Sequence, residues 1–270
     1  MILKKKRIMT IDEINAYQIA YGKPIQRKEL LTSIFKPFIV CFALTFILFW
    51  TWWVALIGGL IGMIYGYAVL IPQSVKRVYE EKAFRERNNF INYMTQILTN
   101  NDRTIVQAIQ KVRKRASGEF QEDLSRLEAV LMDANENEAV DAFKVLEEKY
   151  KSDVVFTLYL EQLTTALIQG RTNVDSIKDI KHYHNQIKEK QGEFLKAKQG
   201  KASDFRFMAK VSFIFIAALI WSFGLKTFID VYAHYPIGWA SSILFLLLLG
   251  SIYHSFVKKM GDDSIMEVKV

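Results

Sequence analysis

The chain has one cysteine, Cys41, among 270 residues, which excludes an intramolecular disulfide and any cysteine-rich metal site. It has four prolines, none of them between Pro72 and Pro236, so nothing in that long segment forces a helix to stop. Charge is missing from residues 38–71, which contain no Asp, Glu, Lys, Arg or His. It is nearly missing from 211–257, where only Lys226, Asp230, His234 and His254 interrupt apolar sequence. Motifs that carry catalysis are absent too: no phosphate-cradling G-x-x-x-x-G-K-[ST], no G-x-S-x-G elbow and no H-E-x-x-H. The expectation is a protein without enzymatic activity or cofactor. No acidic residue sits deep in an apolar stretch, which argues against an ion-coupled transporter.

What is present is a charged middle between two apolar stretches. A hydrocarbon core of ~30 Å takes ~20 helical residues per crossing, so the pattern predicts an integral membrane protein. Residues 38–71 are too long for one span and suit two, at about 34–50 and 53–71. The turn then falls at Trp50, Thr51, Trp52 and Trp53, since indole rings favour the headgroup zone. A helix that re-enters without crossing is the rival reading. The second stretch divides into 207–229 and 237–257, separated by a polar and aromatic turn at 230–236. Lys210 and Lys226 can snorkel at the ends of the third span.

Orientation follows from the basic residues. Of 36 Lys and Arg, eight precede Phe38, 24 lie between Pro72 and Lys210, three follow Val257, and only Lys226 is left for the outer side. The positive-inside rule puts both termini and the central domain in the cytoplasm of a multi-pass inner-membrane protein. The net charge of +8 is then topology. Nucleic acid is not an expected partner, because no basic face or recognition motif is evident. The run Lys4-Lys5-Lys6-Arg7 is too far from the first apolar stretch to head a cleavable signal peptide. Thr10 and Glu13 instead form a capping-box pattern opening a short cytosolic helix, stopped by Gly22 and Pro24. The implied divisions are an N-terminal segment 1–33, a first transmembrane pair 34–71, a cytoplasmic bundle 72–206, a second pair 207–257 and a tail 258–270.

The central domain reads as six helices. The first runs from Ser74 to Thr99 and ends at Asn100-Asn101-Asp102. The next carries Ile105, Ile109 and Val112 and breaks at Ser117-Gly118. Phe120, Leu124, Leu127 and Leu131 mark the third, ended by Asp133-Ala134-Asn135; Ala139, Phe143, Leu146 and Tyr150 mark the fourth. Their three- and four-residue spacing is that of a helix with one apolar face. Asp153 caps the fifth, which carries Phe156, Tyr159, Leu160, Leu163 and Leu167 to Gly170. Thr172 or Asn173 opens a long sixth that continues into the third span. His182 and His184, two apart on that helix, point to different sides and are expected to be exposed.

Charge is uneven. Residues 119–148 hold ten acidic and two basic residues, whereas 76–118 and 178–210 are basic. Acidic residues keep a distal surface soluble, or they dock a basic cytosolic partner. The candidate docking set is Glu119, Glu122, Asp123, Glu128, Asp133, Glu136, Glu138 and Asp141. In the first apolar stretch, Gly58, Gly62 and Gly66 recur every four residues, a stripe that lets another helix approach closely. It serves packing within the chain or between copies, and the first is the expectation.

Three segments carry a resemblance. Residues 94–109, MTQILTNNDRTIVQAI, resemble the opening helix pair of the type II secretion system F domain family. Residues 137–146, NEAVDAFKVL, resemble its "G….AL..L" segment, and 168–174, IQGRTNV, with Ile177 and Ile180, its "R.G.NL…L..L" break. The chain departs from the pattern where Asn100–Asp102 replaces a glycine turn and Val174 replaces leucine. It is most similar to the single-domain platform proteins of Tad-type pilus systems. The resemblance implies an all-α membrane protein that forms the platform beneath a growing filament. Its partners would be a cytosolic secretion or pilus ATPase, pilin-like subunits, and a related platform protein or a second copy of itself. The alternative is a membrane-anchored receptor or regulatory scaffold whose helical domain binds a cytosolic partner.

Overall fold

The computed structural model describes residues 10–22, 27–100, 104–133, 135–170 and 173–261. The basic run at 4–7, Pro24, Asn101, Asp102, Ala134, Thr172 and the tail beyond 261 lie outside them. Among the described residues the chain is almost wholly helical, with no strand, and opens with the short helix α1 (Ile11–Ile19). Two compact units form. One gathers residues 10–15, 27–76 and 196–261, and the other 16–22 and 77–195.

In the apolar unit, α2 (Arg27–Phe49) and α3 (Trp52–Tyr65) are separated by Trp50 and Thr51. Trp50 takes φ 48° and Thr51 is extended, which ends one helix and starts the next. After α3 the helix passes through one π-helical stretch, Gly66–Leu70, into α4 (Ile71–Asn100) without a loop. The other apolar segments are the end of α9 (Val174–Phe223) and α11 (Pro236–Met260). Among the described residues four helices are long and apolar enough to cross a membrane: Leu30–Phe49, Trp52–Thr99, Val174–Phe223 and Pro236–Met260.

The third of these corrects the sequence reading, which carried its span to residue 229. Gly224 takes φ +79°, a left-handed conformation that stops α9 at Phe223. The connector to α11 is longer than a simple turn and largely helical, built from α10 (Leu225–Phe228) and a π-helical Ile229–Ala233. Pro236 then sits in the first turn of α11, where its missing amide costs nothing. Trp239 gathers the connectors at one end of the unit. It stands 5.3 Å from Phe49 and 6.2 Å from Trp53, and its Nε1 donates to Ala233 O at 2.7 Å. At the other end Gln73 Nε2 donates to Val257 O, and Lys198 Nζ caps the carbonyl of Met260.

In the second unit α4 and α9 are joined by α5 (Ile105–Arg113), α6 (Gly118–Asp133), α7 (Glu136–Lys149) and α8 (Val154–Gln169). Each helix begins on a side chain that satisfies a free amide or at a glycine. Thr104 Oγ1 accepts from Gln107, and Asn135 and Glu138 form a reciprocal capping box. Asp153 Oδ1 accepts from Phe156 and Asn173 Oδ1 from Ser176, so Asn173 opens α9. The apolar stripes read from the sequence converge on one core that includes Ile109, Leu124, Phe143, Leu160 and Leu163, all fully buried. Phe90, Phe120, Tyr150 and Phe156 meet edge to face at its centre, 5.5–5.9 Å apart. The buried Tyr159 hydroxyl is satisfied by Thr95 Oγ1 at 2.9 Å.

Candidate functional site

The acidic helices α6 and α7 divide the predicted docking set in two. Glu122, Asp133, Glu136, Glu138 and Asp141 are exposed. Glu119 is half-buried, and Asp123 and Glu128 are buried. Their positions explain it. On α6 the core-facing residues are Phe120, Leu124, Leu127 and Leu131, and positions 123 and 128 flank that stripe. Glu128 pairs with Arg113 of α5.

Glu119 and Asp123 belong to an internal cluster. Lys149, at the end of α7, lies 2.7 Å from Glu119 Oε1 and 2.5 Å from Asp123 Oδ2. Each carboxylate also accepts from a tyrosine: Tyr150 OH donates to Asp123 at 2.6 Å and Tyr79 OH to Glu119 at 2.7 Å. Burial alone would raise the Glu119 carboxyl, but Lys149 and Tyr79 hold it below its ordinary range. Burial would likewise lower Lys149, and the two carboxylates hold it above. Burial and then Asp123 push the Tyr150 phenol far upward, so it stays a proton donor. The cluster is one cation shared by two anions, tying α6, α7 and α4 together.

A second cluster lies where α8 begins. Arg87 Nε donates to Asp153 Oδ2 at 2.8 Å, with only 12% and 9% of the two side chains exposed. The same guanidinium lies over the rings of Tyr150 and Phe84, 5.3 and 5.8 Å from their centres. His184 Nε2 stands 3.5 Å from Asp153 Oδ2, and its ring stacks on Phe84 at 4.9 Å. The sequence reading expected His184 on the surface like His182, whereas it is fully buried. Charged residues crowd this part of α9 and mask the buried side. Its partner Asn88 comes from α4, 96 residues earlier.

The orientation of the Asn88 amide beside His184 follows from its neighbours. Lys188 Nζ, which can only donate, bonds Asn88 at 2.8 Å, so the Asn88 carbonyl oxygen must face it. The Asn88 amide nitrogen therefore points at His184 Nδ1, 2.9 Å away, and Nδ1 must accept. The other ring nitrogen, Nε2, faces Asp153. Asn88, Asn92 and Asn185 interlock alongside, with Asn92 and Asn185 bonded both ways at 3.0 Å. Sequence inspection passed over these asparagines, whose signal is a pair at i and i+4 on α4.

These clusters contain no arrangement of nucleophile and base. Among the described residues no group of three or more His, Cys, Asp or Glu could hold a metal. Asp153 serves three elements at once, as cap of α8, anion for Arg87 and neighbour of His184. What such an arrangement does is fix α4, α6, α7, α8 and α9 to one another.

The predicted glycine stripe faces α2. A side chain at Gly58 would run into Thr45, at Gly62 into Cys41 Sγ (2.6 Å) and Pro37 O (2.7 Å), and at Gly66 into Pro37 Cγ (2.8 Å). Gly59, outside the four-residue spacing, also lies against α2, with Phe38 Cε2 at 2.7 Å. As the number rises along α3 it falls along α2, so the two helices run antiparallel.

No model of a known protein family matches the chain, and no solved structure matches it. An uncharacterized protein of Bacillus anthracis is 42% identical over 266 residues, covering 98% of this chain and 96% of that protein.

Proposed function

We propose that this chain, which belongs to the same family as the Bacillus anthracis protein, is a membrane platform of a Tad-type pilus or type II-like secretion machine. It passes movement from a cytosolic ATPase to pilin-like subunits and hydrolyses nothing itself. The observation that carries the reading is a six-helix bundle flanked by two pairs of apolar helices. Helix runs on from α3 to α4 and from the bundle end of α9 to its apolar end with no intervening loop.

In this reading the four apolar helices cross the cytoplasmic membrane, with both termini and the bundle inside. The grouping of Phe49, Trp53 and Trp239 at one end of the apolar unit supports placing both connectors on the outer side. Cysteine labelling tests the topology in a C41S background. Thr51→Cys and His234→Cys are expected to react in intact cells, and Asn135→Cys only after permeabilisation. Labelling of position 135 from outside overturns the topology.

The ATPase would dock on the exposed acids of α6 and α7. Single exposed charges contribute only ~0.2–1 kcal/mol each, so one reversal should do little. Reversing Glu122, Asp133, Glu136 and Asp141 together to Lys avoids the internal carboxylates. This variant is expected to remain folded and inserted while losing most salt-sensitive binding of the cognate ATPase and all filament assembly. Binding equal to wild type at low salt would show that these acids are only a solvated surface.

A further inference from the structure

We infer that residues 16–22 are a hinged strap, closed over the N-terminal end of α6 and able to open while the bundle stays folded. The first amides of a helix have no partner within it, and at α6 one of them is taken by this segment. Glu119 N–H donates to Ala20 O at 2.7 Å. Tyr17 and Tyr21 meet Tyr79 of α4 with ring centres 5.0 and 5.5 Å apart, and Lys82 Nζ donates to Tyr21 O at 3.3 Å. Gly118 makes the closure possible. It takes φ +63°, and a Cβ there would fall on Ala20 O and 2.7 Å from the Tyr21 ring.

The strap sits on the ionic cluster. Glu119, whose amide holds Ala20, is the carboxylate that pairs with Lys149 and accepts from Tyr79. Burial and the nearby Glu119 charge push the Tyr21 phenol up to about 12, as expected for a ring held against this cluster. Yet among the described residues its attachments are mostly at the surface: the Glu119–Ala20 hydrogen bond, the Lys82 contact, the two ring contacts and the edge of Tyr21 packed against the core. The core below is fastened by many fully buried side chains. Segments with so few buried contacts open at lower free energy than the elements they cover. Opening uncovers the α6 amides and the Tyr79–Glu119 pair. The inference needs only the bundle and stands apart from the pilus reading.

Amide-resolved hydrogen exchange on the full chain in detergent micelles tests it. In the wild type the Glu119 amide should exchange about fivefold more slowly than an unprotected amide, as one hydrogen bond of ~1 kcal/mol allows. It should still exchange much faster than Leu124 in the same helix. Tyr21→Ala should bring Glu119 to the unprotected rate and leave Leu124 unchanged, and Gly118→Ala should act in the same direction. Equal protection of Glu119 and Leu124 in the wild type would mean that the segment opens only when the bundle unfolds. An unprotected Glu119 would mean that it does not close. Either result overturns the proposal, as does a Tyr21→Ala protein in which Glu119 keeps its protection.

Discussion

Replacing Arg87 by methionine is expected to destabilise the bundle by about 3–5 kcal/mol, because it removes one partner of a buried ion pair and leaves the other charged. Asp153 would face His184 with no guanidinium beside it, and the rings of Tyr150 and Phe84 would lose the cation above them. The double variant R87M/D153N should recover much of the loss. Asparagine keeps the α8 cap without the charge. Denaturation of the detergent-solubilised protein, read from hydrogen exchange in α8, measures both. A cost of R87M under ~1 kcal/mol would mean that the pair behaves as a surface contact. The same pair sets an acid response. Burial would raise the Asp153 carboxyl, but His184 and Arg87 hold it below its ordinary range. A depressed folded-state value gives stability that is complete well above the unfolded pKa of ~3.9 and is lost as pH falls below it, through the folded value. R87M should move that loss to higher pH, and D153N should remove its contribution.

Gly62→Leu is expected to separate α2 from α3. Its side chain would have to pass Cys41 and the carbonyl of Pro37, and a helix backbone cannot rotate aside as a flexible side chain can. Overpacking typically costs ~1–3 kcal/mol, and more where backbone must shift. Apolar helices gain little from apolar burial against lipid and depend on close contact instead. The lone cysteine reports the result, because Cys41 faces Gly62 and should react faster with a small maleimide when the helices part. Gly250→Ala is the control. No atom outside its own turn lies within 4 Å of the Cβ it would carry, and stability should be unchanged or slightly higher. Unchanged Cys41 reactivity in Gly62→Leu would show that α2 and α3 do not depend on this approach.

The helices of the bundle were legible because their core contacts recur at short spacing. Ile105, Ile109 and Val112, or Phe120, Leu124, Leu127 and Leu131, announce a buried face from within one element. Breaks were legible where glycine, or the Trp50–Thr51 pair, interrupts a periodic run. The Gly224 break was missed because apolar residues on both sides continue the pattern, and a left-handed glycine leaves no mark on hydropathy. The exposure of the acidic residues was legible only in part. A count of acids over 119–148 does not distinguish Glu136, which faces solvent, from Asp123, whose oxygens are taken by Lys149 and Tyr150. His184 was missed for a related reason. A histidine between lysines looks solvated until Asn88, Asp153 and Phe84, distant in sequence, are brought around it.

The separation between Asn88 and His184 also bears on how the chain is made. Helices α5 to α8 meet neighbours close in sequence, and such contacts form early. The asparagine and histidine contacts that close α9 onto α4 cannot form until residue 184 has been synthesised. They are complete in sequence by Lys188, before the apolar residues from 207 onward are translated. A chain emerging from its N-terminus therefore holds every piece of the bundle before its third apolar helix exists. The last two apolar helices therefore follow the bundle in order of synthesis.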